Sequence, residues 1–169
     1  MKFIVDANVG KMARWLRLMG YDAIFFDGRD DADMVHAALN EDRVLLTRDT
    51  GIMRWGAVVN GRVRAVFLES DEPEAQIRQL VREFGLDERM QPFTVCLECN
   101  LPLRSVGKEA VEDRVPPYVF RTQERFVECP KCHRVYWRGT HWKAMLTRLE
   151  KLTGRSSLKA QKSKTQIKT

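Results

Sequence analysis

No stretch of this chain stays apolar for anything near the ~20 residues that a membrane-spanning helix needs, which excludes a helical membrane protein. The sequence holds no GxSxG, no GxxxxGK(S/T) and no GxGxxG. Those gaps remove the nucleophile-elbow hydrolase, the P-loop NTPase and the dinucleotide-binding readings. Nothing at the N-terminus has the pattern of a secretory signal, so the expectation is a soluble, cytoplasmic protein in a reducing compartment. Acidic residues are scarce in one half only. Residues 1–90 carry 13 Lys/Arg and 16 Asp/Glu, a net of −3, whereas residues 91–169 carry 16 and 7, a net of +9. An acidic half joined to a basic half suits an enzyme that holds cations in one part and a polyanion in the other. A plain solvated surface with a basic tail would have the same charges.

Cysteine is scarce too, and its placement is informative. The only four fall as Cys96-Leu-Glu-Cys99 and Cys129-Pro-Lys-Cys132, with 29 residues between the pairs. Thiolates two residues apart reach one ion from a tight turn, and two such turns complete a tetrahedron that suits structural Zn²⁺. Two disulfides or a redox-active pair are the competing readings, and the reducing compartment and the lack of a βαβ unit around either pair weigh against them.

The cysteines divide 169 residues into a compact N-terminal domain at 1–90, a zinc ribbon with a C-terminal helix at 91–153, and a disordered basic tail at 154–169. In the first part, short apolar runs alternate with amphipathic stretches. Lys2–Asp6, Ala23–Phe26, Arg43–Thr47 and Val63–Leu68 read as strands, with helices at Gly10–Met19, Asp31–Asn40 and Pro73–Phe84. That alternation means βαβ units, a mostly parallel sheet and an α/β fold. Beyond Pro92, three β-prone pieces flank the cysteine turns, the segment around Pro116-Pro117 reads as a loop, and His141–Leu152 reads as a helix.

Working groups in an open parallel sheet sit just past the carboxyl ends of its strands. Asp6 ends the first strand, Asp30 and Asp31 follow the second, and Asp49 follows the third in Leu45-Leu-Thr-Arg-Asp49. Carboxylates gathered there repel one another unless a divalent cation neutralises them, and hard oxygen donors with waters to spare suit Mg²⁺ or Mn²⁺. Asp31 serves equally well as a helix N-cap, Asp49 as a partner of Arg48, and Asp33 stands in reserve. On the first helix, Lys11, Arg14 and Arg17 are spaced three apart, on a face other than that of Met12, Trp15, Leu16 and Met19. They read as a track for phosphates or as an ordinary solvated face. Tyr136 to Lys143 mixes aromatics and bases, for stacking nucleobases or for packing.

Taken together, Asp6 followed by Gly10-Lys-Met-Ala-Arg-Trp-Leu-Arg-Leu-Met-Gly20, Leu45-Leu-Thr-Arg-Asp49, Cys-x-x-Cys-Asn100, the second Cys-x-x-Cys and Tyr136-Trp-Arg-Gly-Thr-His-Trp142 resemble the Mut-seven C-terminal ribonuclease domain. That resemblance implies a PIN-like α/β/α core with a fused zinc ribbon and a metal-dependent ribonuclease activity on RNA. By position it implies that Asp6, Asp31 and Asp49 are the catalytic acids, with Asp30 as the register alternative. Where the family has Met-Leu before the first glycine, this chain has Asn8-Val9, and Asn8 offers an oxygen ligand in the manner of other PIN-like proteins. His133 stands where a glycine is usual. The expected division of labour gives Mg²⁺ or Mn²⁺ to the acids, Zn²⁺ to the cysteines, and the RNA backbone to Lys11, Arg14, Arg17 and Arg48. An RNA-binding module with a vestigial site is the rival. A phosphatase with Asp6 as nucleophile is disfavoured, because the residue two positions on is Asn8.

Overall fold

A computed structural model describes residues 1–28 and 30–154; the tail expected from residue 155 onward lies outside them. Two compact units account for the chain, one of Met1–Leu103 with Cys129–Cys132, the other of Arg104–Glu128 with the chain from His133 on.

In the first unit, β1 (Lys2–Asp6), β2 (Asp22–Phe26), β3 (Arg43–Thr47) and β4 (Ala65–Phe67) form one parallel sheet in the order β2-β1-β3-β4. The strands are joined by α1 (Lys11–Leu18), α2 (Asp31–Asn40) and α3 (Gly56–Val59), and α4 (Pro73–Phe84) follows the last. Alternate residues of a strand face opposite sides, and both sides here are apolar. Ile4 and Leu45, paired in register, pack with Met34, Val35 and Ala38 of α2 and with Ile52. On the other side, Phe3 meets Tyr21 and Phe84 edge-on, with ring centroids 5.9 Å apart in both pairs. The two-sided core explains why β3 is buried at all five positions, Thr47 included. The α/β fold, with its parallel sheet, is consistent with a PIN-like core.

Gly20 stops α1 with φ +91°, and a Cβ there would lie 2.2 Å from the Gln91 carbonyl oxygen. Only glycine allows that turn and that approach.

The second unit has its own antiparallel sheet, β5 (Arg104–Val106), β6 (Phe126–Glu128) and β7 (Val135–Trp137), in the order β5-β6-β7. Val111, Val115 and Phe126 form its small core, with Phe120 and Trp137 against them. The segment expected to be a loop is instead a 3-10 stretch over Glu109–Arg114 followed by α5 (Pro117–Thr122). Pro117 sits at the first helical turn, where its missing N–H is no loss. The last helix, α6 (Thr140–Thr153), buries Trp142, Leu146, Leu149 and Leu152 and ends at left-handed Gly154. No helix among the described residues is long and apolar enough to cross a membrane.

Candidate active site and four-cysteine cluster

The sheet order reverses between β1 and β3, because the chain steps from β1 to β2 on one side and returns to β3 on the other. Crevices open at such switch points, past the carboxyl ends of the strands. Asp6 is the last residue of β1 and Thr47 the last of β3. Asp6 Oδ2 accepts from the Thr47 hydroxyl at 2.5 Å and from the Asn8 amide at 2.7 Å. Thr47 Oγ1 in turn accepts from the Asp49 backbone N–H at 2.9 Å, and Asp49 Oδ1 accepts from Gly51 N–H at 2.6 Å. Asn8 Oδ1 accepts from Arg48 N–H at 3.1 Å. One network thus fixes the carboxyl end of β1 against that of β3.

Asp31 joins from the third segment. Asp30 is the N-cap of α2, its carboxylate accepting from Ala32 N–H at 2.8 Å, and Asp31 is the first helical residue. The capping role expected for Asp31 therefore falls to Asp30, so that Asp31 is not needed to end the helix. Partial desolvation, then the charges of Asp49, Asp6 and Asp30, push the Asp31 carboxyl above the usual carboxylate range. Like charges raise a pKa only when they are near enough to be felt. Asp33, the reserve candidate, lies exposed in the first turn of α2.

Among the described residues, the acids are not gathered into a group that closes on an ion. Asp31 and Asp49 are exposed and Asp6 is half-buried, and hard carboxylate oxygens of this kind could hold a hydrated cation such as Mg²⁺, which binds through a few carboxylates and keeps several waters. Asn8, offered as an extra oxygen ligand, donates from its amide nitrogen to Asp6 and accepts at its oxygen from Arg48 N–H, so it orients the acid in this arrangement.

A groove of about 840 Å³ begins at Asn8 and runs past Lys11, Arg14, Phe25, Gln76 and Glu98. Lys11 is exposed, and Arg14 is exposed and paired with Glu98 at 3.0 Å. Arg17 corrects the expectation of a three-residue phosphate track. It is buried, 8% exposed, and donates to the carbonyls of Ala23, Leu97 and Glu98 at 2.8, 2.9 and 3.0 Å. Burial lowers its pKa, opposed by Glu98, Cys96, Asp22 and Cys99. Arg48 is likewise occupied, by the Leu68 carbonyl at 3.0 Å and Asp71 at 2.9 Å.

All four cysteines are free thiols, and their sulfurs lie within 4.8 Å of one another. Cys96 Sγ and Cys132 Sγ are 3.8 Å apart, the edge of about 3.8 Å for a tetrahedron with Zn–S bonds of about 2.3 Å, and far from a disulfide's bond of about 2.05 Å. Cys99 N–H points at Cys96 Sγ, 3.4 Å away, as a thiolate-bearing turn requires. Without a cation the Cys99 thiol resists ionisation. Partial burial, then the thiols of Cys132 and Cys129, push the Cys99 thiol up to about 12. The residue after each pair, Asn100 and His133, has positive φ, 58° and 55°. Those values account for a glycine being usual at the second position. The cluster is a site that could hold zinc.

A family model described as the Mut7-C RNAse domain matches residues 1–149. The chain belongs to that family. No curated protein and no solved structure matches it. The Mut7-C match spans the acids, the groove and all four cysteines.

Thr47 is the site residue that sequence reasoning passed over. The available signal was a hydroxyl ending a strand buried throughout, where a polar side chain needs a partner.

Proposed function

We propose that this protein is a metal-dependent ribonuclease that hydrolyses RNA phosphodiester bonds at the carboxyl ends of β1 and β3. The observation that carries the reading is the hydrogen-bond network that ties Asp6 through Thr47 to the Asp49 backbone at the strand ends, with Asp31 near enough to feel both charges, in a chain of a ribonuclease-domain family. Asp6, Asp31 and Asp49 would hold one or two Mg²⁺ or Mn²⁺ ions, which supply Lewis acidity and a water of lowered pKa. Thr47 and Asn8 hold the Asp6 carboxylate by one oxygen, so that its direction is set before anything binds. Lys11 and Arg14 offer charge to the RNA backbone along the groove; Arg14 would have to exchange Glu98 for phosphate. In this reading residues 1–90 form the nuclease domain and the cysteines hold structural Zn²⁺, which leaves no open coordination position.

A second reading, a non-catalytic RNA-binding protein, is favoured by one observation: the acids are not drawn into a closed cation site. The experiment that separates the two is cleavage of end-labelled single-stranded and structured RNAs with Mn²⁺ or Mg²⁺ against EDTA. An Asp6→Asn/Asp49→Asn double variant, checked for retained zinc, runs alongside. Metal-dependent cleavage that disappears in the variant supports the nuclease. RNA bound equally by both proteins and cut by neither sinks it.

A further inference from the structure

We propose that Arg17 is the positioning residue that fastens the metal-bearing turn Cys96–Cys99 to the outer edge of β2, so that filling the four-cysteine site and ordering that sheet edge are one event. The proposal is independent of any chemistry at the acids. β2 ends the sheet, with only β1 beside it, and an uncovered edge leaves backbone donors and acceptors without partners. Ala23 shows how this edge is covered. Its N–H donates to Asn100 Oδ1 at 2.9 Å and its carbonyl accepts from Arg17 Nε at 2.8 Å. Asn100 immediately follows Cys99, and its amide also donates to Asp22 at 2.6 Å. The other end of the same guanidinium holds the carbonyls of Leu97 and Glu98, the two residues between the first pair of cysteines.

One buried cation therefore bridges a strand edge and a cysteine turn. A bidentate guanidinium fixes direction as well as distance. Four thiolates around Zn²⁺ carry a net charge of about −2, which a neighbouring arginine offsets. Groups that orient the ligands of a metal, without touching it, typically change affinity about 10–100-fold when replaced. Leu97 and Glu98 also line the groove beside Arg14, so the wall of that groove depends on the same fastening.

The test uses the full chain as wild type, Arg17→Gln, Arg17→Lys and Val35→Ala. Val35 is buried in the core beside Met34 and Leu45 and serves as a loss of packing that touches no part of the turn. Zinc transfer to a chromogenic chelator and melting with and without Zn²⁺ are measured for each. The expected result is zinc held about 10–100-fold more weakly in Arg17→Gln and partial recovery in Arg17→Lys. In Arg17→Gln the melting temperature gained on adding Zn²⁺ also shrinks. Val35→Ala melts lower but binds zinc as wild type does. Wild-type zinc retention in Arg17→Gln, or an equal loss in Val35→Ala, overturns the proposal. Should Arg17→Gln fail to fold, Co²⁺-loaded Arg17→Lys decides: a visible spectrum and chelation rate identical to wild type also overturn it.

Discussion

Replacing Thr47 with valine keeps the shape of a fully buried side chain and removes only its hydroxyl. That hydroxyl makes two bonds that matter, donating to Asp6 Oδ2 and accepting from Asp49 N–H. A hydrogen bond to a charged group contributes about 1.5–3 kcal/mol and a neutral one about 0.5–1.5 kcal/mol. The two side chains are close in shape, so the lost hydrogen bonds dominate, with a methyl left facing the polar groups the hydroxyl had served. The expected destabilisation is about 2–4.5 kcal/mol, which lowers Tm by about 4–18 °C at this chain length. Thermal unfolding followed by circular dichroism measures it, and Thr47→Ser, which restores the hydroxyl, should recover most of the loss. Titration calorimetry with Mn²⁺ then asks whether Asp6 has lost its direction; weaker binding is expected in Thr47→Val even well below its Tm. A valine variant that melts within about 1 °C of wild type, as an ordinary surface change would, refutes the claim that this hydroxyl joins the two strand ends.

Asp31→Asn should act in the opposite sense. The folded-state pKa of Asp31 is raised by desolvation and by Asp49, Asp6 and Asp30, so its charge is a cost at neutral pH that disappears as pH falls through that pKa. The side chain is exposed, so screening limits the gain to a few tenths of a kcal/mol, about 1 °C in Tm in the presence of EDTA. If the proposed site holds Mn²⁺, wild type gains Tm on its addition and the same variant should not; a full Mn²⁺ response in the variant would remove Asp31 from the site. Asp22 has the reverse sign. Burial alone would raise its carboxyl, but hydrogen bonds from Arg43 and Asn100 outweigh that and hold it below the usual range. Its stabilisation is present above the unfolded pKa of ~3.9 and is lost as pH falls through the lower folded value. Asp22→Asn should therefore lower Tm at pH 7, while the gap from wild type closes toward pH 2; a gap that stays constant with pH would count against the pairing.

Much of this architecture is written in local pattern. The runs Lys2–Asp6 and Arg43–Thr47 are apolar on both faces because the sheet is covered on both, so strand identity and the position of Asp6 could be read directly. The cysteine spacing needed no tertiary knowledge. Arg17 was legible as helical but not as buried, because its partners are backbone carbonyls about eighty residues away that leave no trace in helix periodicity. Asp30 and Asp31 both suit a cap, and which of them caps depends on where the helix starts within one residue. The Pro116-Pro117 pair reads as a breaker, but the second proline begins a helix. What stayed hidden was the contact of a side chain with a distant backbone, the class of interaction that no residue pattern encodes.

The opposite signs expected for Thr47→Val and Asp31→Asn bear on why the acids are there at all. A cluster kept for stability should lose stability whichever member is changed. The site instead joins a buried hydroxyl that stabilises the strand ends to a carboxylate whose charge is disfavoured by desolvation and then by its acidic neighbours. A carboxylate held at a local cost is what the proposed cation site predicts, since a hard cation would offset that cost. If both variants lower Tm, the acids are part of the scaffold and the case for a cation site falls. If Asp31→Asn raises Tm and removes the Mn²⁺ response together, the repulsion at the ends of β1 and β3 is the trace of an ion that the site was built to hold.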